Sequence, residues 1–257
     1  MTEVLRVERL CKDYLHKGRG WRVQRIHALS DISFTLEAGK TLAVMGVTGS
    51  GKSSLARIIA GAEAPTSGTL HLGNRLLQPG DHRFRSRHIR LIFQDTYASL
   101  NPHLTIGRQL EEPLLFNTDL NSAQRRDAVH EALGKVGLLP EYAVFHPHRL
   151  STGQKQRACI ARAIMLNPDV IVADEALAAL DSSIRAQIIN LLLDLQRDMN
   201  ISYIFVSHSP EIIRHVADEI IILRNGRMVV HDKASTLFDT AAHQDFDGLL
   251  QHSYTLS

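Results

Sequence analysis

The run Gly46-Val47-Thr48-Gly49-Ser50-Gly51-Lys52-Ser53 limits what this chain can fold into more than any other stretch. It lies between the apolar run Thr41 to Met45 and the helix-like Ser54 to Ala60, so it reads as a strand turning into a helix through a Walker A phosphate loop. Gly46, Gly49 and Gly51 carry no Cβ, and at Gly49 and Gly51 this lets the backbone turn its N–H groups inward around a phosphate chain. The helix that follows adds the positive end of its dipole. Thr48 and Ser50 complete the loop and Ser54 supplies one more helix-start N–H. Lys52 is the point charge for the β- and γ-phosphates, and the Ser53 hydroxyl is placed to ligate Mg²⁺.

A chain of 257 residues with 44% hydrophobic content can bury a sizeable core as one large α/β domain, with room for an inserted lobe. A formal net charge of +2 gives no nucleic-acid-binding footprint. The two cysteines, Cys11 and Cys159, are far apart and in no metal-ligand spacing. That pattern fits a reducing compartment and leaves no ligand set for an iron–sulfur cluster. The amino-terminal residues have neither a basic start nor an apolar run, and no stretch approaches the ~20 apolar residues of a membrane span. A soluble chain is expected, with any membrane role exercised through a partner.

Leu5 to Leu10 reads as a strand closed by Lys12-Asp13-Tyr14, and Ile26 to Leu36 as a second strand pair ahead of the turn Glu37-Ala38-Gly39-Lys40. Tyr14, taken alone, is an aromatic packing at a sheet edge. After the phosphate-loop helix come a turn at Pro65 to Gly68 and a strand at Thr69 to Leu72, so antiparallel strands flank the nucleotide fold. Arg83, Arg85, Arg87 and Arg90 read as a solvated basic face before the strand Ile89 to Phe93. That strand ends at Gln94, whose amide oxygen can ligate Mg²⁺ or water, a weak signal by itself.

From Asn121 to Val136 the pattern is helical, with Ala128, Ala132, Leu133 and Val136 as its apolar stripe and Ser122 at its start. Residues 95 to about 150 therefore read as a mostly helical insertion. His146-Pro147-His148 at its end is a loop corner; no carboxylate or cysteine stands near at metal-ligand spacing. Leu150-Ser151-Thr152-Gly153-Gln154 then opens another helix, a second anion-reading helix start. Val170 to Ala173 is an apolar strand ending in Asp174-Glu175, the Walker B arrangement, in which Asp174 holds hydrated Mg²⁺ and Glu175 polarises the attacking water. Asp181 precedes a helix from Ser182 to Met199. A last core strand, Ile201 to Val206, delivers Ser207-His208, and a histidine there can hydrogen-bond a γ-phosphate.

In this order, Walker A, a strand-end glutamine, a helical insertion, Leu-Ser-Thr-Gly-Gln, Walker B with glutamate, Leu-Asp and Ser-His, the chain resembles the ATP-binding subunits of ABC transporters from about Val4 to Val230. The resemblance implies a P-loop NTPase (RecA-like) core with an antiparallel β subdomain and an inserted α-helical subdomain: 1–94 and 158–235 as core with β subdomain, 95–157 as helical subdomain with signature, 236–257 as a short tail. It makes Tyr14 the aromatic that stacks on adenine, Gln94 the Q-loop residue, Ser151, Gly153 and Gln154 signature residues acting in trans, Asp181 the D-loop aspartate and His208 the switch histidine. ATP and Mg²⁺ are implied, with Glu175, His208, Lys52 and Gln94 catalytic and Ser53, Gln94 and Asp174, the last through water, on the metal.

Gln94-Asp95 through Ser99-Leu100-Asn101-Pro102, with His146-Pro147-His148, is similar to the peptide and nickel branch of that family. Phe84-Arg85-Ser86, Val136 to Pro140 and Ala173 to Ala178 narrow the likeness to the ATPases of one peptide-transport system within it. The implied partners are a second ABC ATPase (as heterodimer or homodimer), two membrane-spanning permease subunits and a substrate-binding protein, at the cytoplasmic face of a bacterial inner membrane. The alternative from another class is a soluble ABC ATPase such as an iron–sulfur assembly factor. Two positions depart from the family pattern: Thr152 stands where glycine is usual, and Ser209 where aspartate usually follows the switch histidine. The first is expected to weaken the signature, with the loss falling on the partner's site.

Overall fold

A computed structural model describes residues 2–17, 23–93, 99–178 and 180–239, which form two compact units: Met1–Asp81 with Ser202–Ser257, and His82–Ile201.

In the first unit, β1 (Glu3–Lys17) and β2 (Val23–Glu37) form a long antiparallel ribbon, and β4 (Ser67–Leu72) and β5 (Arg75–Leu76) extend it in the order β2-β1-β4-β5. β1 continues past Tyr14, where the sequence pattern closes it, and β2 is one strand where a pair is expected. Bulges absorb the difference: Arg9 and Asp31 take left-handed φ of 47° and 56°, and the register shifts between Val7 and Leu10. They let Leu5, Val7 and Leu10 meet Leu29, Ile32, Phe34 and Leu36 in one buried layer.

β3 (Thr41–Met45) runs between β8 (Ser202–Val206) and β9 (Glu219–Arg224), parallel to both, and β10 (Arg227–Lys233) pairs antiparallel with β9. β3 and β8 are buried at every residue, the pattern of strands covered on both faces. α1 (Lys52–Ala60) lies against β8 through its apolar face, Leu55, Ala56, Ile58 and Ile59, and stops at Gly61. α7 (Pro210–Val216) and α8 (Ala234–Asp239), numbered in chain order with the helices below, complete the unit.

Among its described residues the second unit holds the parallel pair β6 (Ile89–Ile92) and β7 (Val170–Asp174) and the helices α2 (His82–His88), α3 (Ile106–Asn117), α4 (Ser122–Lys135), α5 (Thr152–Ile164) and α6 (Ser182–Met199). Of the basic run, Arg83, Arg85 and Arg87 lie on α2 and Arg90 on β6, and it is not wholly a solvated face, because Arg85 is buried. α4 is capped by Asn121, one residue ahead of the expected Ser122, because the Asn121 side chain accepts from Gln124 N while the Gln124 side chain answers at the Asn121 N–H. Its stripe holds Ala132, Leu133 and Val136, with Val129 buried and Ala128 only half so. Gln109, also buried, ties α3 to the preceding loop: it accepts from Asn101 N at 2.8 Å and donates to the carbonyls of Asn101 and Leu104 at 3.0 Å each.

Candidate functional site

β3 carries the chain straight into the phosphate loop, where Gly46 and Gly51 take φ of 146° and 104°. Packing also requires glycine at both. A Cβ on Gly46 would stand 2.3 Å from the Leu223 carbonyl oxygen, and one on Gly51 2.4 Å from that of Ala28. Gly51 precedes α1 and, having no side chain, supplies no side-chain cap to the N–H groups of its first turn. Lys52 is buried, with Nζ donating to the carbonyls of Gly46 at 2.8 Å and Val47 at 2.9 Å. The Ser50 hydroxyl is buried without a hydrogen-bond partner among the described residues.

A support that the sequence motifs do not include holds this loop from behind. Asn225 and Gly226, with φ of 48° and 74°, turn β9 into β10. Gly226 N donates to Ser50 O at 3.1 Å, and Gly226 O accepts from Ser30 N at 2.7 Å, so the turn links the phosphate loop to β2. The Asn-Gly pair between two apolar strands was the available signal.

Parallel pairing of Val44 with Val206, and Ser207 N donating to Val44 O at 3.2 Å, bring the end of β8 beside the point where β3 enters the loop. His208, exposed, therefore leaves the sheet next to the phosphate loop. Ser209, in place of the usual aspartate, opens α7 without a side-chain cap. Tyr14 reaches the same region: its hydroxyl lies 3.1 Å from Ser54 Oγ and donates to Glu63 Oε2 at 2.5 Å. Burial, then the Glu63 contact, raise the phenol above its ordinary range.

In the second unit, pairing of Ile92 with Ala173 sets the end of β6 beside Asp174. Gln94 itself lies outside the described residues. Glu175, half-buried, has a left-handed φ of 47°, and Ala178 N donates to its carbonyl at 3.0 Å to close the turn. A left-handed non-glycine residue costs about 1–2 kcal/mol, and such strain gathers at functional positions.

Ser151 caps α5: its Oγ accepts from Gln154 N at 3.3 Å and its N–H donates to Gln154 Oε1 at 2.9 Å. Gln154 also donates to the Tyr142 hydroxyl at 2.7 Å, a contact with no local sequence signal. Thr152 occupies the first helical position, exposed, and leaves the cap intact. A Cβ on Gly153 would lie 3.2 Å from Ile184 Cγ2, while Asp181 caps α6 by accepting from Ile184 N at 2.9 Å. The signature and Asp181 are thereby brought together.

The loop thus offers backbone donors, a buried cation and an orphaned hydroxyl, the chemistry of a phosphate cradle. Ser53 and Asp174 offer hard oxygen donors, the ligand type Mg²⁺ takes. Among the described residues no three His, Cys, Asp or Glu side chains group as a metal site, and His146 and His148 stack at 5.7 Å around a short 3₁₀ turn, Pro147–Arg149. No described helix is long and apolar enough to cross a membrane.

The ABC transporter family model matches residues 29–178. The putrescine export system ATP-binding protein SapF of Escherichia coli K12 is 44% identical over 241 residues, 94% of this chain and 90% of that protein. The dipeptide transport ATP-binding protein DppF of Haemophilus influenzae is 42% identical over 260 residues, 100% of this chain and 80% of that protein. Among solved structures, the dimeric ATP-binding cassette MJ0796 in a post-hydrolysis state with ADP and Pi matches with a TM-score of 0.78 and 30% identity, over 90% of this chain and 98% of that one. The cbiO1 component of a Clostridium perfringens ABC transporter complex matches at 0.80 and 25%, over 98% and 97%. These relatives are parts of transporters, in line with the main expectation from the sequence and not with a soluble assembly factor. The chain belongs to the ABC transporter family, as an ATP-binding subunit with a P-loop α/β fold whose ATP hydrolysis is coupled to transport.

Proposed function

We propose that this subunit powers movement of peptides across a bacterial inner membrane, working at its cytoplasmic face beneath two permease subunits. The observation that carries this is likeness over 94% of the chain to proteins named for peptide transport, such as the SapF of Shigella flexneri. A polyamine cargo is the second reading, favoured by the name of the E. coli K12 relative. A second ABC ATPase would complete the motor, and a substrate-binding protein would deliver the cargo.

At the site, the loop N–H groups and Lys52 bind the phosphates, Tyr14 stacks on adenine, and Glu175 takes the proton of the attacking water while His208 holds the γ-phosphate. Ser151, Gly153 and Gln154 act on the partner's nucleotide, and Asp181 lines the same face. Mg²⁺, held by Ser53, by Gln94 and through water by Asp174, would supply charge neutralisation on the phosphates. The core, helical and tail divisions expected at 1–94 with 158–235, 95–157 and 236–257 stand as part of this reading.

The test is ATP hydrolysis by this chain alone, with its sister ATPase, and with the membrane subunits, at matched concentration. Activity that appears only in the mixture, falls with Glu175→Gln and rises with Thr152→Gly supports the reading. Full activity of the chain alone, unchanged by the others, overturns it.

A further inference from the structure

Glu63 lies in the turn after α1 and belongs to none of the nucleotide motifs, yet several groups at the base end of the site converge on it. Its Oε2 accepts the Tyr14 hydroxyl at 2.5 Å and lies 3.5 Å from Lys12 Nζ, and its Oε1 is 3.4 Å from Arg57 Nη1. Lys12 is held in turn by donating to the Ala64 carbonyl at 2.7 Å, and its ammonium stands over the Tyr14 ring, 4.9 Å from the centroid. One ring face is therefore covered by a cation–π contact. The hydroxyl also lies 3.1 Å from Ser54 Oγ, within the first turn of α1, so the ring is pinned at its tip to the helix that starts at the phosphate loop.

We propose that Glu63 is a positioning residue for nucleotide binding: with Lys12 it locks the Tyr14 ring at a fixed height above the start of α1, one face closed, so that only the other face meets a planar base. The inference rests on the reading of Tyr14 as the base platform. A tyrosine without these contacts would keep its stacking surface but spread over several rotamers, and ordering it would then oppose binding. Burial opposes ionisation of Glu63, but the Tyr14 hydroxyl, Lys12 and Arg57 outweigh it and hold the carboxyl below its ordinary range, so the lock is charged at neutral pH.

The experiment measures binding of ADP and of inorganic pyrophosphate to the full chain, wild type and Tyr14→Ala, Glu63→Ala, Glu63→Gln and the Tyr14→Ala/Glu63→Ala double variant. Pyrophosphate reads the loop without the base. Tyr14→Ala is expected to weaken ADP about tenfold or more, the scale of one base–aromatic stack, and Glu63→Ala about three- to tenfold, both with pyrophosphate unchanged. Glu63→Gln, which keeps shape and an acceptor, restores part of the loss, and the double variant is no weaker than Tyr14→Ala alone. Wild-type ADP binding in Glu63→Ala and Glu63→Gln, with a loss in Tyr14→Ala, overturns the proposal and spares the base platform. Unchanged ADP binding in Tyr14→Ala overturns both. Equal losses for ADP and pyrophosphate in Glu63→Gln mean a distorted loop and also overturn it.

Discussion

Lys52 donates to the carbonyl oxygen of Gly46 at 2.8 Å, six residues back in the same loop, so the cation proposed to bind phosphate also closes the loop that carries it. Removing it trades these hydrogen bonds against relief from a buried charge, two terms of similar size. Lys52→Ala is therefore expected to change the nucleotide-free stability by no more than about 1 kcal/mol, while nucleotide affinity falls at least tenfold. Thermal melts with and without ADP check this: the variant keeps its unfolding temperature and loses the shift that ligand produces.

Glu175, the proposed general base, has a left-handed backbone, φ 47°. Glu175→Gln should bind ATP, remain as a closed pair and hydrolyse at least a hundredfold more slowly, the size of a general-base effect of about 10²–10⁴. Glu175→Asn should be as inactive yet more stable by about 1 kcal/mol, because asparagine tolerates this conformation. Denaturant melts and single-turnover hydrolysis separate the two effects. Normal hydrolysis by Glu175→Gln would remove the base assignment.

Within the helical unit, Arg125 Nε meets Glu111 Oε1 at 2.7 Å and joins α4 to α3. The Arg125 hydrogen bond, against some desolvation, holds the Glu111 carboxyl below its ordinary value of 4.5. A depressed folded pKa contributes stability that is complete above the unfolded value and fades as pH falls through the folded one. Glu111→Gln should thus cost about 1 kcal/mol at pH 7 and little near pH 3, as urea melts at the two pH values would show. A cost independent of pH would deny the pair this role.

Cys159 is buried in α5, and burial pushes its thiol up to about 11. Cys11 is only half-buried. Since the thiolate is the nucleophile, iodoacetamide at pH 8 should label Cys11 in the native protein and reach Cys159 only after unfolding, read by peptide mass mapping.

What local chemistry imposes is legible in the sequence itself: the phosphate loop between strand and helix, the Asp174-Glu175 strand end, the capped starts of α5 and α6 and the buried runs of β3 and β8 each declare themselves within about ten residues, because hydrogen bonding and burial there are satisfied nearby in the chain. Tertiary structure alone decided what depends on distant approach. The turn at Gly226 bonded to Ser50 and Ser30, the Glu63 hold on Tyr14 and the Lys12 bond to Ala64 across about fifty positions each, and the Tyr142 contact to Gln154 join groups whose neighbours in sequence do not announce them. The extension of β1 past Tyr14 belongs here too: its polar ends pair with β2 because the bulges at Arg9 and Asp31 restore the register, and a bulge changes which residues face the core without changing composition.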